Sequence, residues 1–400
     1  MNTFRSFGLN ETILQKLDEQ HIQEPTPIQS LTIAEILAGK DLMAEAQTGT
    51  GKTLAFLLPM FQKFDPTSNE IQGLILAPTR ELAIQITEEA KKLANDTEIQ
   101  ILAIYGGQDI QKQLKRLKRS VSFVIATPGR LLDHLARQTI DLTHLKTLVL
   151  DEADQMLFIG FQNEIEMILK RTNKDKQLLC FSATLDSKVK KIAYKFMKDP
   201  LEIAAKKETI TLESIEQKVV NASDRWKQAA LFQELDRTNP FLGIIFCRTK
   251  RRADNLEAAM SLHRYSCNKL HGSMTQAARQ RVMKGFREAR YQYLIATDVA
   301  ARGLDISGVS HIYNYDIPET PESYIHRIGR TGRMGEEGCA ITFVAPRDQR
   351  LLGEIEKEIQ MEIPQSDYNH PNEPKSKEHH HKKPVQKKTD AKQNKKKKYR

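Results

Sequence analysis

Between residues 40 and 200 the chain alternates short, unbroken apolar runs with longer stretches in which apolar residues recur every three or four positions. Leu42-Met43-Ala44, Leu74-Ile75-Leu76, residues 101–104, Phe123-Val124-Ile125, Leu148-Val149-Leu150 and Leu178-Leu179-Cys180-Phe181 are the runs. Between the second and third of these, Leu82, Ile86, Ala90 and Leu93 fall on one face of a helix. Short continuous apolar strands separated by amphipathic helices predict a parallel sheet with helices on both faces. A polar stretch at residues 206–217 reads as a linker. The pattern then resumes with strands expected at 243–246, 266–270, 293–295, 312–315 and 340–344. No sequence repeat of about 20–50 residues is visible, which excludes a solenoid. The expectation is an α/β protein with two tandem domains. The first spans residues 1–205, the linker 206–217, the second domain 218–365 and a tail 366–400.

The polar, often glycine-bearing segments begin where apolar strands end, at residues 47–53, 78–82, 127–130, 151–154, 182–184 and 297–305. Ligands of open α/β sheets bind outside the carboxyl ends of the strands, so these segments describe one site or two facing ones. Ala46-Gln47-Thr48-Gly49-Thr50-Gly51-Lys52-Thr53 follows a strand and opens a helix. Backbone N–H groups freed by Gly49 and Gly51 can cradle phosphates, with Thr48 and Thr50 beside them. Lys52 can reach the β and γ oxygens, and the Thr53 hydroxyl can bind Mg²⁺. Ala46 replaces the first glycine of the general pattern. About 100 residues later a strand empties into Asp151-Glu152-Ala153-Asp154. There Asp151 can hold Mg²⁺, and Glu152 can orient or deprotonate an attacking water. A solitary acidic quartet would read as solvated surface; beside a phosphate loop it reads as chemistry.

The phosphate loop, the literal Asp-Glu-Ala-Asp, Ser182-Ala183-Thr184 and His326-Arg327-Ile328-Gly329-Arg330-Thr331-Gly332-Arg333 together resemble a DEAD-box RNA helicase of superfamily 2. The resemblance covers roughly residues 4–360. It implies two RecA-like domains, RNA-stimulated ATP hydrolysis, and local melting of short RNA duplexes when the domains close. Pro25-Thr26-Pro27-Ile28-Gln29 looks like the family's adenine-reading segment, with Gln29 on the base edge. Phe4 stands where an upstream aromatic stacks on the base, or is a plain core residue. Arg330 and Arg333 match the arginine fingers and Asp305 the ribose contact. Ser182, Thr184 and His326 resemble the groups that couple hydrolysis to RNA. Arg80, Gly106, Gly107, Thr127, Arg130, Arg279 and Thr297 lie in segments resembling the RNA-contact motifs, although Gly106-Gly107 alone would pass for an ordinary turn. Such contacts read phosphates and 2′-hydroxyls, so little sequence selectivity is expected. Gln155 and Phe158 depart from many relatives, which carry Arg and Asp there. A DNA translocase would share the ATP chemistry, but the adenine segment and the literal acidic quartet argue against it.

Composition changes the picture at one end only. Of the net charge of +10, residues 371–400 carry +9, from 12 basic groups against three acids. Almost devoid of apolar residues, this tail is expected to be disordered. It is either a solubilising terminus or a tether that concentrates RNA without sequence preference. Cys180, Cys247, Cys267 and Cys339 are scattered without the paired spacing of a zinc site. No apolar stretch is long enough to span a membrane, and no secretory signal opens the chain. A cytoplasmic monomer is the expectation.

Overall fold

Burial on both faces is what the continuous apolar runs require, and two sheets provide it. The computed structural model describes residues 3–46, 49–107, 110–117, 120–204, 215–301, 308–332 and 337–368. Thr48, Asp305, Arg333, the linker up to residue 214 and the basic tail from residue 369 lie outside the described residues.

In the first half, the strands are β1 (Leu42–Glu45), β2 (Gly73–Leu76), β3 (Ile101–Ile104), β4 (Phe123–Ala126), β5 (Thr147–Asp151), β6 (Gln177–Ser182) and β7 (Leu201–Ala204). They form one parallel sheet in the order β3-β4-β2-β5-β6-β1-β7. In the second half, β8 (Ile215–Asn221), β9 (Gly243–Cys247), β10 (Cys267–Leu270), β11 (Tyr293–Thr297), β12 (His311–Asn314), β13 (Gly338–Val344) and β14 (Gln365–Asp367) pair as β10-β11-β9-β12-β13-β8-β14. All of these pairings are parallel as well. Adding seven to each number of the first order gives the second. The two halves therefore share one topology without a recognisable sequence repeat, which is the tandem arrangement of RecA-like domains.

Each sheet divides its own core. Leu179 and Phe181 of β6 join one cluster, while Leu178 and Cys180 join the other on the opposite face. The second sheet does the same, with Ile244 and Phe246 of β9 on one side and Ile245 and Cys247 on the other. Among the described residues, no cluster mixes the halves.

Two details depart from the expected boundaries. Strand β8 starts at Ile215, inside the stretch read as linker, because its alternating burial fastens it to β13 through seven register pairs. Strand β14 takes in Ser366 and Asp367, which the sequence places in the tail. It has no apolar residue and is held by backbone pairing to β8 at the sheet edge. Phe4 is 3% exposed, packed in the first core and edge-on to Phe7. This burial supports the core-packing alternative given for Phe4.

Candidate nucleotide and RNA sites

The phosphate loop leaves β1 and turns into the helix Lys52–Gln62 through Gly49 and Gly51, which sit at φ +86° and +88°. A side chain is strained at such angles. At Gly51, an added Cβ would also lie 2.4 Å from Gln29 Nε2. Gln29, 2% exposed, donates from Nε2 to the Gly51 carbonyl (3.0 Å) and accepts at Oε1 from the Thr26 N–H (2.9 Å). The residue expected to read the base thus braces the loop expected to hold the phosphates. Lys52 opens the helix and donates to the Ala46 carbonyl across the loop (2.9 Å). Thr53 follows it on the first turn.

At the end of β5, Asp151 and Glu152 are both 3% exposed. Burial pushes the Asp151 carboxyl up to about 7, with Lys52 opposing and Glu152 adding to the shift. Glu152 takes a left-handed conformation at φ 52° and caps the helix Ala153–Ile159, and its buried Oε2 has no hydrogen-bond partner. A side chain held in that conformation is a strain feature of the kind found at functional sites.

Asp154 joins the halves. Its N–H donates to Ser182 Oγ (3.1 Å), its carboxylate accepts from Thr184 Oγ1 (3.3 Å), and His326 Nε2 of the second half lies 3.7 Å away. Burial raises the Asp154 carboxyl, but His326, Lys52 and Ser182 outweigh it and bring it down to about 2. His326 sits on the helix Pro321–Ile328, and Arg330, just past its end, donates from Nε to the His326 carbonyl (3.2 Å). The sequence reading singled out Ser182, Thr184 and His326 but not the acid they converge on. The signal was available, since Asp154 closes the acidic quartet.

A groove of about 470 Å³ gathers the other candidates, with Arg80, Gly106, Thr127 and Arg130 from the first half and Arg279 from the second on its walls. Arg80 opens the helix Arg80–Ala94, whose Thr79 cap accepts from Leu82 N–H (3.2 Å). Its guanidinium lies on the backbone of Gly106-Gly107. A Cβ at Gly107, where φ is +82°, would meet Nη1 at 2.4 Å, so these glycines are the seat of the arginine and not a bare turn. Burial lowers the Arg80 pKa; Glu81 opposes this, while Arg279 and Arg130 add to it. Three guanidinium groups crowded on one groove favour an anion. Arg279 Nε pairs with Glu81 across the halves (2.8 Å), and Arg80 Nη1 reaches Gln276 (3.4 Å). Thr297 ends β11. Glu81 was missed by sequence reasoning, because nothing local marks a carboxylate whose partner lies 198 positions away.

A family model of the DEAD/DEAH box helicase matches residues 26–192, and one of the helicase conserved C-terminal domain matches residues 226–335. The ATP-dependent RNA helicase CshA of Listeria monocytogenes is 51% identical over 357 residues, covering 89% of this chain and 69% of that protein. This chain belongs to the DEAD-box ATP-dependent RNA helicases. It is an ATP-hydrolysing RNA helicase. Two solved DEAD-box structures are similar to this chain. S. cerevisiae Dbp5 bound to RNA and ADP BeF3 is 31% identical and superposes with a TM-score of 0.85, covering 92% of this chain and 96% of that one. A DEAD box protein from Methanococcus jannaschii is 37% identical yet superposes at 0.53, with 91% and 99% covered. In this DEAD-box chain the halves meet at the Asp154–His326 and Glu81–Arg279 junctions.

Proposed function

We propose that this helicase hydrolyses ATP at a site completed by domain closure and uses that closure to bend RNA and melt short duplexes locally. The observation that carries the reading is the junction at Asp154. A carboxylate two residues from Glu152 is held by Ser182 and Thr184 and faces His326, so the state of the nucleotide site and the position of the second domain depend on each other. Lys52, with Gly49, Thr50 and Gly51, would hold the phosphates, and Gln29 would read adenine. Glu152 would orient the attacking water and accept its proton. Arg330 would bring positive charge to the transferring phosphoryl group. Thr48, Asp305 and Arg333 belong to the same proposal.

A divalent cation such as Mg²⁺ fits the residues present. The buried Glu152 carboxylate oxygen without a hydrogen-bond partner, next to the buried Asp151 carboxyl, is chemistry that suits a cation. Thr53 and Asp151 would hold the ion, which when bound neutralises phosphate charge. Arg80, Arg130 and Arg279, with Gly106, Gly107, Thr127 and Thr297, would bind RNA backbone with little sequence preference. We further propose a monomer acting in the cytoplasm. None of the described helices is long and apolar enough to cross a membrane.

The test is Glu152→Gln. Removing a positioned base costs about 10²–10⁴-fold in rate. The variant should bind ATP and RNA normally in equilibrium assays while RNA-stimulated turnover falls by that factor. Turnover close to wild type would remove Glu152 from the mechanism.

A further inference from the structure

Behind the arginine groove lies a buried carboxamide that no role described so far uses. Gln113, on the helix Ile110–Leu117, is 2% exposed and is not among the residues on the groove wall. Its Nε2 donates to the carbonyl of Tyr105 (3.1 Å), the residue just before Gly106-Gly107. Its Oε1 accepts from Arg130 Nη1 (3.3 Å) and from His134 Nε2 (3.0 Å). One amide therefore bridges the turn that seats Arg80 and the guanidinium of Arg130.

Chemistry fixes which way that amide points. A guanidinium only donates and a carbonyl only accepts, so the oxygen faces Arg130 and the nitrogen faces Tyr105. His134 must then present Nε2–H to the same oxygen. Burial lowers the pKa of the ring, so it holds a single proton, and Nδ1 is left to accept from the Thr139 hydroxyl (2.8 Å). Arg130 and His134 stand four residues apart on the helix Pro128–Ala136, which puts both on one face, toward Gln113. The other forces on Arg130 pull it elsewhere. Arg80 shares the groove and repels it, and Asp133 Oδ2, on a half-exposed side chain, lies 3.9 Å from its Nε. Without Gln113, the acceptor within reach is Asp133, whose charge cancels that of the arginine.

We propose that Gln113 is a positioning residue for RNA binding, which aims Arg130 at a backbone phosphate and sets its spacing from Arg80, with His134 locking the amide in place. The inference rests on the reading of the groove as the RNA site. A long side chain that is free to swing loses rotamer entropy when it grips a phosphate, whereas one already aimed by the fold loses little. The neutrality of the amide matters as much as its reach. An apolar residue at position 113 would leave Arg130 its charge without its aim. A carboxylate there would keep the aim and cancel the charge.

Gln113→Met, Gln113→Glu and Arg130→Ala, singly and combined in the full chain, test this. RNA-stimulated turnover is one readout, and binding of one short single-stranded RNA across a salt series is the other. Gln113→Met, close to glutamine in shape, should raise the RNA concentration for half-maximal turnover about tenfold while kcat at saturating RNA holds. The slope of log affinity against log salt should flatten by about 0.7, the share of one phosphate on a single strand. Gln113→Glu should reach the same end by the opposite route, so the test stands if one of the two variants does not fold. Arg130→Ala should match them, and adding it to either should weaken binding by less than about twofold more. Losses that multiply in the double variants overturn the proposal. So do Gln113 variants with the wild-type slope beside an Arg130→Ala chain that has lost it. If Arg130→Ala itself binds RNA like wild type, the reading of the groove falls first and the proposal with it.

Discussion

Gln29 shows how one side chain can serve two parts of a site. Its amide oxygen fixes the turn before its own helix, and its amide nitrogen holds the phosphate loop at Gly51. Gln29→Ala should therefore weaken ATP binding and also reduce the preference for ATP over GTP, by about 1–3 kcal/mol for the unpaired groups. Competition of the two nucleotides in a turnover assay measures it; wild-type enzyme using GTP as well as ATP would refute the adenine-reading role. His134 is a second case. Fully buried, it meets Gln113 Oε1 with Nε2 (3.0 Å) and Thr139 Oγ1 with Nδ1 (2.8 Å). Gln113 Oε1 also accepts from Arg130 (3.3 Å). Burial lowers the His134 pKa below the usual 6.5, and Arg130 adds to this. The folded protein thus keeps the ring neutral where the unfolded chain takes up a proton. Stability should fall as pH drops below about 6.5, with the full contribution present above it. Urea unfolding between pH 8 and 5 should show that slope, reduced in His134→Gln.

At the scale of elements, Gly107 ties a turn to the helix Arg80–Ala94. Gly107→Ala places a Cβ against Arg80 Nη1 in a left-handed backbone, a strain of roughly 1–2 kcal/mol. Relieving it moves the guanidinium, so RNA affinity should fall several-fold while ATP affinity in the absence of RNA holds. Fluorescence anisotropy with a short single-stranded RNA reads the first and nucleotide titration the second. Such a seat was not legible in the sequence, where the two glycines look like any turn. The interior strands other than β8 were legible, because strands buried on both faces read as apolar runs; β8, with Glu216, Gln217 and Lys218 breaking its apolar residues, was not. Strands β7 and β14 were not, since an edge strand is defined by the backbone it pairs with, and Gln365-Ser366-Asp367 has no apolar residue to announce it. The chemical residues were legible for the same topological reason that they are functional, as polar breaks at strand ends. Their long-range partners, Asp154 with His326 and Glu81 with Arg279, were not, because pairing across halves depends on how the domains close.

For the molecule as a whole, charge is divided as unevenly as chemistry. The body is nearly neutral, and its cationic groove is built from a few arginines, whereas residues 371–400 hold +9. If about half of the tail's basic groups engage RNA at once, each contributes about 0.7 to the slope of log affinity against log salt. Removing residues 371–400 should then flatten that slope by roughly four units and leave turnover at saturating RNA nearly intact. Binding of the full and shortened chains to one RNA across a salt series decides it, and identical slopes would leave the tail without an RNA role.

The matching strand orders of the two sheets, each wrapped in cores that share no residue, carry one more implication. Among the described residues each half packs its own cores, so a protein severed between its halves keeps every described core cluster. What it loses is concentration: two pieces that were always neighbours must now find each other. ATP and RNA, gripped from both sides, would then act as the mortar between two bricks. The enzyme becomes an assembly that exists only while its substrates are held.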